Sequence, residues 1–225
     1  MKTQRLLISW TLVLGGVALL GACDVEQPAP QCTVGRGDHA VRYTKKAGTC
    51  GDKKAELVGA QAFRVPGSGV PPTLYFNAAS LVLLPVPPST TPVPTSAVGQ
   101  FTTEFPSADN VCTVPSLSEA SQTVDGVARG YRWSNVRVQG RASIPGTQWI
   151  ADLEYSEDGC TATYEAVGVF PAIKCENAQK VRDESLCRVL RAGASLDPAF
   201  PIYCEETSNL CVLRGSPPAF EPTTP

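Results

Sequence analysis

Nine cysteines constrain this 225-residue chain more than any other feature of its sequence. They are Cys23, Cys32, Cys50, Cys112, Cys160, Cys175, Cys187, Cys204 and Cys211. Cysteines at this density in a small domain are typical of exported proteins, because the cytosol keeps thiols reduced. An odd number cannot be paired completely within one chain, so one of the nine is expected to have another role.

The N-terminal segment has the composition of a targeting signal. Lys2 and Arg5 precede Leu6–Leu20, an uncharged apolar run of 15 residues. That run is shorter than the roughly 20 residues that a membrane-spanning helix needs. It ends in Leu20-Gly21-Ala22-Cys23, which resembles the lipobox of bacterial lipoproteins. The resemblance implies that Cys23 carries a diacylglycerol on its sulfur, that the chain is cut before Cys23 and that the new amine is acylated. The alternative is an ordinary secretory signal followed by a chance cysteine.

Removing Cys23 from the count leaves eight cysteines, and this even number predicts four disulfides. Eight cysteines allow 105 pairings. We favour the pairing of neighbours in sequence, namely Cys32–Cys50, Cys112–Cys160, Cys175–Cys187 and Cys204–Cys211. The alternative is a set of reduced, buried cysteines.

We therefore expect a signal peptide at 1–22, a lipidated tether at 23–31, a single Cys-rich β domain at 32–215 and a disordered tail at 216–225. The expected location is the cell envelope, and the outer membrane or cell surface rather than the inner membrane. Asp24 follows the anchor, and in enterobacterial lipoproteins such an aspartate retains the protein in the inner membrane. That rule varies between lineages, so Asp24 leaves the choice of membrane open.

Charge excludes two classes of partner. Residues 1–22 carry two positive and no negative charges, so their removal takes the formal net charge from −2 to −4. The remaining charges are scattered along the chain. This composition has neither the basic surface typical of nucleic-acid binding nor a polybasic patch for anionic lipid.

The pattern of apolar residues predicts a mainly β fold, an antiparallel β-sandwich or barrel-like domain. Large residues alternate through Trp149, Ala151, Leu153 and Tyr155, as in a strand with one buried face. Residues 130–170 as a whole predict a meander of three or four strands, with Asp158-Gly159 as a hairpin turn.

Other segments predict smaller elements. Residues 177–190 have helix-forming composition and predict a short helix. Residues 202–213 predict a hairpin, and Ser116 followed by Glu119 predicts a capped helical turn at 116–120. The proline-rich stretch 85–94 predicts an exposed loop, because proline cannot donate to a sheet.

His39 is the chain's only histidine, which excludes zinc sites with two or three histidine ligands. A nucleophilic triad would have to use it. We interpret His39 as a solvated loop residue, and Arg36-Gly37-Asp38 beside it as a glycine-containing turn rather than an adhesion motif.

Two further groups are candidates for binding or catalysis. The carboxylates Asp152, Glu154, Glu157 and Asp158 cluster near one hairpin, as in some glycosidases and calcium sites. Their positions also suit a solvated strand face. Trp133 and Trp149 would suit a sugar-stacking platform, although a β core is the commoner place for two tryptophans.

Two segments, Ala162–Cys175 (ATYEAVGVFPAIKC) and Leu196–Leu213 (LDPAFPIYCEETSNLCVL), resemble Cys-rich envelope lipoproteins of gliding, predatory deltaproteobacteria. Some lipoproteins of that group serve adventurous gliding motility and can be transferred between cells. The resemblance supplies no catalytic residues.

Three functional hypotheses follow. The first is a noncatalytic interaction or structural component, in motility or adhesion, that is held by membrane lipid through acylated Cys23 and binds an envelope protein partner. The second is a lipoprotein that holds a small apolar or sugar ligand inside a β-sandwich or barrel. The third is an envelope hydrolase that uses the acidic hairpin. We favour the first and expect no enzyme activity, no cofactor and no metal.

Overall fold

The computed structural model describes residues 30–82, 95–141, 143–189 and 196–217. Cys23, the signal peptide, most of the tether, the proline-rich stretch 85–94 and most of the predicted tail lie outside the described residues.

The described chain is mainly antiparallel β, as predicted. In order, the elements are β1 (Gly37–Gly48), β2 (Glu56–Phe63), β3 (Thr73–Ala78), the one-turn helix α1 (Ala79–Val82), β4 (Ala97–Gln100), β5 (Val111–Ser116), β6 (Ala120–Val124), β7 (Val127–Gln139), β8 (Gln148–Glu157), β9 (Cys160–Val169), a 3-10 helix (Glu184–Arg188), β10 (Ile202–Cys204) and β11 (Cys211–Leu213).

Nine of these strands form one sheet that almost closes on itself. Its order is β4-β3-β2-β1-β9-β8-β7-β5, and β6 pairs with the first half of β7. The two ends of the sheet meet through backbone hydrogen bonds just beyond β4 and β5. Ser118 N donates to Val98 O at 2.8 Å, and Thr102 N donates to Thr113 O at 2.9 Å. Of the two architectures predicted, the structure is the barrel-like one.

The predicted meander is confirmed as β7, β8 and β9. In β8, Trp149, Ala151, Leu153 and Tyr155 are buried, and the intervening residues from 152 onward face outward. The turn between β8 and β9 is Asp158-Gly159, and both residues have positive φ. A tight turn of this hand suits the right-handed twist of the paired strands.

Large aromatic side chains fill the interior of the barrel. Trp133 and Trp149 pack edge to face, with ring centroids 5.9 Å apart, and Phe76 contacts both. Tyr43 and Tyr131 continue the cluster towards one end of the barrel. Among the described residues, this cluster occupies the space that a ligand-binding barrel would leave open.

The C-terminal segment forms a second layer on the outside of the barrel. Outward-facing Ala40, Ile150 and Val167, from β1, β8 and β9, are buried in a second apolar cluster with residues of that segment such as Phe200 and Leu213. Because this part of the sheet is covered on both faces, β9 ends in four consecutive buried residues. We call the described residues of this segment, 172–189 and 196–217, the C-terminal cap.

The predicted short helix is present as a single 3-10 turn, Glu184–Arg188, whose N-cap Asp183 accepts a hydrogen bond from Ser185 N. The predicted hairpin at 202–213 is confirmed as β10 and β11. The helical turn predicted at 116–120 is wrong. Ser116 ends β5, and Leu117 N donates to Trp133 O, so pairing with β7 keeps this segment extended.

All eight cysteines of the domain form disulfides, but the predicted pairing is wrong. The bonds are Cys32–Cys112, Cys50–Cys160, Cys175–Cys204 and Cys187–Cys211, with sequence separations of 80, 110, 29 and 24. The first two join strands and loops that the barrel brings together from distant parts of the chain. The other two attach the β10–β11 hairpin to the segment before it.

Candidate functional site

His39 is fully buried in β1, so its interpretation as a solvated loop residue is wrong. Trp149 Nε1 donates to His39 Nδ1 at 3.1 Å. An indole N–H can only donate, so Nδ1 must be unprotonated and the proton lies on Nε2, which donates to Gly35 O at 2.9 Å. Burial lowers the pKa of His39 to about 4, against the opposing effect of the bond to Gly35. His39 is therefore a neutral core residue with both ring nitrogens satisfied.

Trp133 and Trp149 belong to the core and present no face to solvent. Phe76 and other aromatic rings contact them inside the barrel. A sugar could stack on either tryptophan only after displacing these core contacts.

The acidic hairpin residues Asp152, Glu154, Glu157 and Asp158 lie around the outer face and turn of β8. Three of them have their own partners. Asp152 accepts from Asn135 at 2.7 Å, Glu154 pairs with Arg132 at 2.6 Å and Glu157 pairs with Arg129 at 2.6 Å. Such pairs are typical of a charged strand face at the surface.

A buried ion pair closes one end of the barrel, and nothing in the local sequence pattern predicted it. Lys53 Nζ lies 2.9 Å from Glu56 Oε1, and both side chains are about nine-tenths buried. Tyr43 and Tyr131 donate to the same carboxylate oxygen at 2.8 and 2.9 Å. Lys53 Nζ also donates to Tyr131 at 2.6 Å. Lysine is almost never buried without a partner, and here the partner comes from the start of the next strand.

Three tyrosine rings surround the Lys53 ammonium. The Nζ atom lies 5.0, 4.7 and 4.5 Å from the ring centroids of Tyr43, Tyr131 and Tyr155. These distances suit cation–π attraction. The network lines a cavity of about 400 Å³. Its lysine nitrogen is already held by a carboxylate and a hydroxyl, so we interpret the network as a polar closure of the barrel end.

The ionisation of this network follows from its burial. Burial lowers the pKa of Lys53, against the nearby Glu56 carboxylate, which raises it. Burial alone would raise the pKa of Glu56, but the Lys53 ammonium and the hydrogen bonds from Ser80 and Tyr43 hold that pKa below its ordinary value. Burial and the Glu56 charge raise the pKa of Tyr43, so its hydroxyl stays protonated and donates.

A groove lies on the outer face of β1, β2 and β3, and we call it the outer groove. Its volume is about 520 Å³. Its lining includes Arg36, Asp38, Gly59, Gln61, Phe63, Tyr75, Asn77 and Ser96. The C-terminal cap covers β9, β8 and part of β1, and leaves this neighbouring part of the sheet uncovered.

The outer groove combines apolar and polar surfaces. Phe63 and Tyr75 are both exposed and pack edge to face, with centroids 4.9 Å apart. Gly59 forms part of the floor, because its missing side chain leaves space between Asp38 and Asn77. Within the described part of the chain, the buried Asn77 Oδ1 accepts no hydrogen bond.

Arg36-Gly37-Asp38 forms one wall of the outer groove and not the tip of a loop. Gly37 and Asp38 are the first residues of β1 and pair with Ala60 and Gly59 of β2. Two residues of the tripeptide are therefore held in β1, and Arg36 lies in a bend just before the strand.

In the ranges 30–82, 95–141, 143–189 and 196–217, no helix has the length and apolar character needed to span a membrane.

Comparisons with known proteins identify relatives of this chain. The MlpA family profile matches residues 37–171. A Myxococcus xanthus protein with the name "Putative lipoprotein MlpA" is 28% identical over 241 aligned positions, which cover 97% of this chain and 100% of the relative. No solved structure matches. The matched region runs from the first residue of β1 to just beyond β9, so it includes the barrel, nearly all of the outer groove and the Lys53–Glu56 pair.

Proposed function

The chain belongs to the MlpA family, and we propose that it is a lipid-anchored, noncatalytic component of the cell envelope that binds a protein partner through its outer groove. The lipobox-like Leu20-Gly21-Ala22-Cys23 supports the anchor. The name of the Myxococcus relative supports the same class of protein.

The observation that carries the binding proposal is the outer groove itself. Exposed Phe63 and Tyr75 pack together beside Arg36, Asp38 and Gln61, on a sheet face that the C-terminal cap does not cover in the described part of the chain. Aromatic residues are enriched in protein interfaces, where a few of them supply most of the binding energy. The charged and amide groups around the pair would orient the partner.

The proposed location is the outer membrane or the cell surface, and the proposed role is in gliding motility or adhesion. The resemblance of the chain to envelope lipoproteins of gliding bacteria supports both. A partner on the same membrane or on a neighbouring cell could reach a groove in the side wall of the barrel.

A complementation experiment tests this proposal. A strain that lacks the gene would receive the wild type, a Phe63→Ser, Tyr75→Ser variant or an Asn77→Ala variant. A Val181→Ser, Val189→Ser variant is the matched control, because it removes two exposed apolar side chains from the C-terminal cap. Motility and cell contact are scored at equal envelope levels of protein. We expect the groove variants to behave like the deletion and the cap variant like the wild type.

The partner is tested directly by a photo-crosslinking residue at Gln61, in the groove, with the same residue at Val181 as control. A discrete adduct from Gln61 that is lost in the Phe63→Ser, Tyr75→Ser background supports the proposal. Full complementation by the groove variants, together with no Gln61-specific adduct, would contradict it.

A small saccharide is the second candidate occupant, because aromatic rings next to carboxylate and amide groups also suit sugar binding. It would occupy the outer groove and not the filled interior of the barrel. Saturable binding of a sugar that the Phe63→Ser, Tyr75→Ser variant loses, together with no protein adduct from Gln61, would favour this candidate.

A further inference from the structure

One disulfide fixes the place where the chain leaves the barrel towards its anchor. Cys32 is bonded to Cys112 at the start of β5, and Cys32 N donates to Glu104 O at 2.8 Å. Gln31 also donates to the Glu104 side chain at 2.8 Å. Only nine residues lead from Cys23 to Cys32. Even fully extended, they span at most about 30 Å, so a lipid on Cys23 would hold this end of the barrel close to the membrane.

Exposed apolar residues are concentrated at that same end. Val65 and Val70, in the loop between β2 and β3, are 71% and 52% exposed, and Phe105, in the loop after β4, is 45% exposed. With Pro30 they line a groove of about 500 Å³. We call these three side chains the tether-end patch.

We propose that the tether-end patch inserts into the lipid bilayer and orients the barrel on the membrane. This inference rests on the proposed anchor at Cys23. The anchor keeps the patch at a high effective concentration near the lipid, so even weak apolar insertion becomes well populated. The depth expected is that of an interfacial element, roughly 5–10 Å into the boundary between headgroups and acyl chains.

The charges beside the patch indicate that apolar burial, not electrostatics, drives insertion. Arg64 and Glu104 carry opposite charges and line the same groove. An uncharged lipid should therefore serve as well as an anionic one. With this end on the membrane, the Lys53–Glu56 pair lies at the far end of the barrel and the outer groove lies along its side.

Tryptophan quenching tests the orientation. The full-length lipoprotein, purified with its anchor, would be reconstituted in phosphatidylcholine vesicles with brominated acyl chains. Val65→Trp and Val70→Trp place reporters in the patch. Thr161→Trp is the control. Thr161 is exposed near the start of β9, at the end of the barrel away from the tether. It lies eight residues, or roughly 25 Å along the strand, from Val169 at the other end of β9. Trp133 and Trp149 are buried and contribute a constant background.

We expect brominated lipid to lower the emission of the Val65→Trp and Val70→Trp reporters about twofold and to leave the Thr161→Trp reporter unchanged. Equal quenching of all three reporters, or of none, in protein that floats with the vesicles would overturn the proposed orientation. Protein that fails to float would overturn the anchor, and the orientation with it. Flotation thus separates the failure of the proposed function from the failure of this inference.

Discussion

His39 illustrates how a single residue can look functional in the sequence and prove structural in the fold. A lone histidine near an Arg-Gly-Asp tripeptide invites a catalytic or adhesive interpretation. The hydrogen bonds to Gly35 and from Trp149 instead use both ring nitrogens inside the core. The consequence is a dependence of stability on pH.

Stability should fall as the pH falls from about 6.5 to about 4. In that range the histidine of the unfolded chain takes up a proton, while folded His39 stays neutral, so acid favours unfolding. The stabilisation is complete above pH 6.5, and its loss by pH 4 amounts to about 3 kcal/mol. Urea unfolding at a series of pH values, compared with a His39→Gln variant, measures it. A constant difference between the two proteins across this range would contradict the assignment.

Two glycines in neighbouring parts of the sheet should respond differently to substitution. A Cβ at Gly168 would lie 2.2 Å from Trp149 Cε2, whereas a Cβ at Gly59 would meet nothing closer than 3.7 Å. We expect Gly168→Ala to reduce the free energy of unfolding by about 1–3 kcal/mol through overpacking. Gly59→Ala should change it by less than about 1 kcal/mol. Thermal or urea unfolding measures both changes. If the two variants lost similar amounts of unfolding free energy, Trp149 would have space to move.

The Lys53–Glu56 pair should matter far more than an ion pair at the surface. Glu56→Gln would leave the buried Lys53 ammonium without a countercharge, and we expect a cost of about 3–5 kcal/mol. Glu165→Gln breaks the exposed pair with Lys46, at 3.1 Å, and should cost less than about 1 kcal/mol. Urea unfolding of both variants makes the comparison. A small effect at Glu56 would mean that water reaches Lys53.

At the scale of the elements, the sequence pattern correctly predicted the strands and turns that depend on residues close together in the chain. The alternation in β8, the Asp158-Gly159 turn and the β10–β11 hairpin depend on neighbouring residues, and all three are present. The burial of His39 and Lys53 depends on strands distant in the sequence, so no local pattern could reveal it. The run of four buried residues at the end of β9 was a usable signal of the second layer, since a strand covered on both faces does not alternate.

The prediction of the disulfide pairing is wrong for a similar reason. The sequence favours bonds between neighbouring cysteines, whereas Cys32–Cys112 and Cys50–Cys160 close loops of 80 and 110 residues. Strand order brings those pairs together. Cys204 and Cys211 are opposite each other in the hairpin, yet each bonds outward to another segment.

Loop length should rank the disulfides by their contribution to stability. Replacing both cysteines of Cys32–Cys112 by serine frees an 80-residue loop and should cost about 4–5 kcal/mol. The same change at Cys187–Cys211, with a separation of 24, should cost about 3.5 kcal/mol. Denaturant unfolding of the two double variants measures the difference. A larger loss at Cys187–Cys211 would mean that packing of the C-terminal cap outweighs chain entropy.

At the scale of the whole molecule, the barrel is filled and the surfaces available for binding are on its outside. In the described part of the chain, aromatic side chains occupy the interior, and the outer groove and the groove lined by the tether-end patch both lie on the outside. The C-terminal cap covers another part of the wall and lies beyond the region that the MlpA family profile matches. This arrangement supports the proposal that a partner binds to one face of the barrel.

Intact mass with disulfide mapping of the membrane-extracted protein tests the central claim most directly. We predict a chain that begins at Cys23, carries the mass of its acyl groups, has no free thiol and yields crosslinked peptides for Cys32–Cys112, Cys50–Cys160, Cys175–Cys204 and Cys187–Cys211. An unmodified Cys23, several free thiols or a neighbour-to-neighbour pairing would contradict the account of a lipid-anchored, disulfide-stabilised barrel.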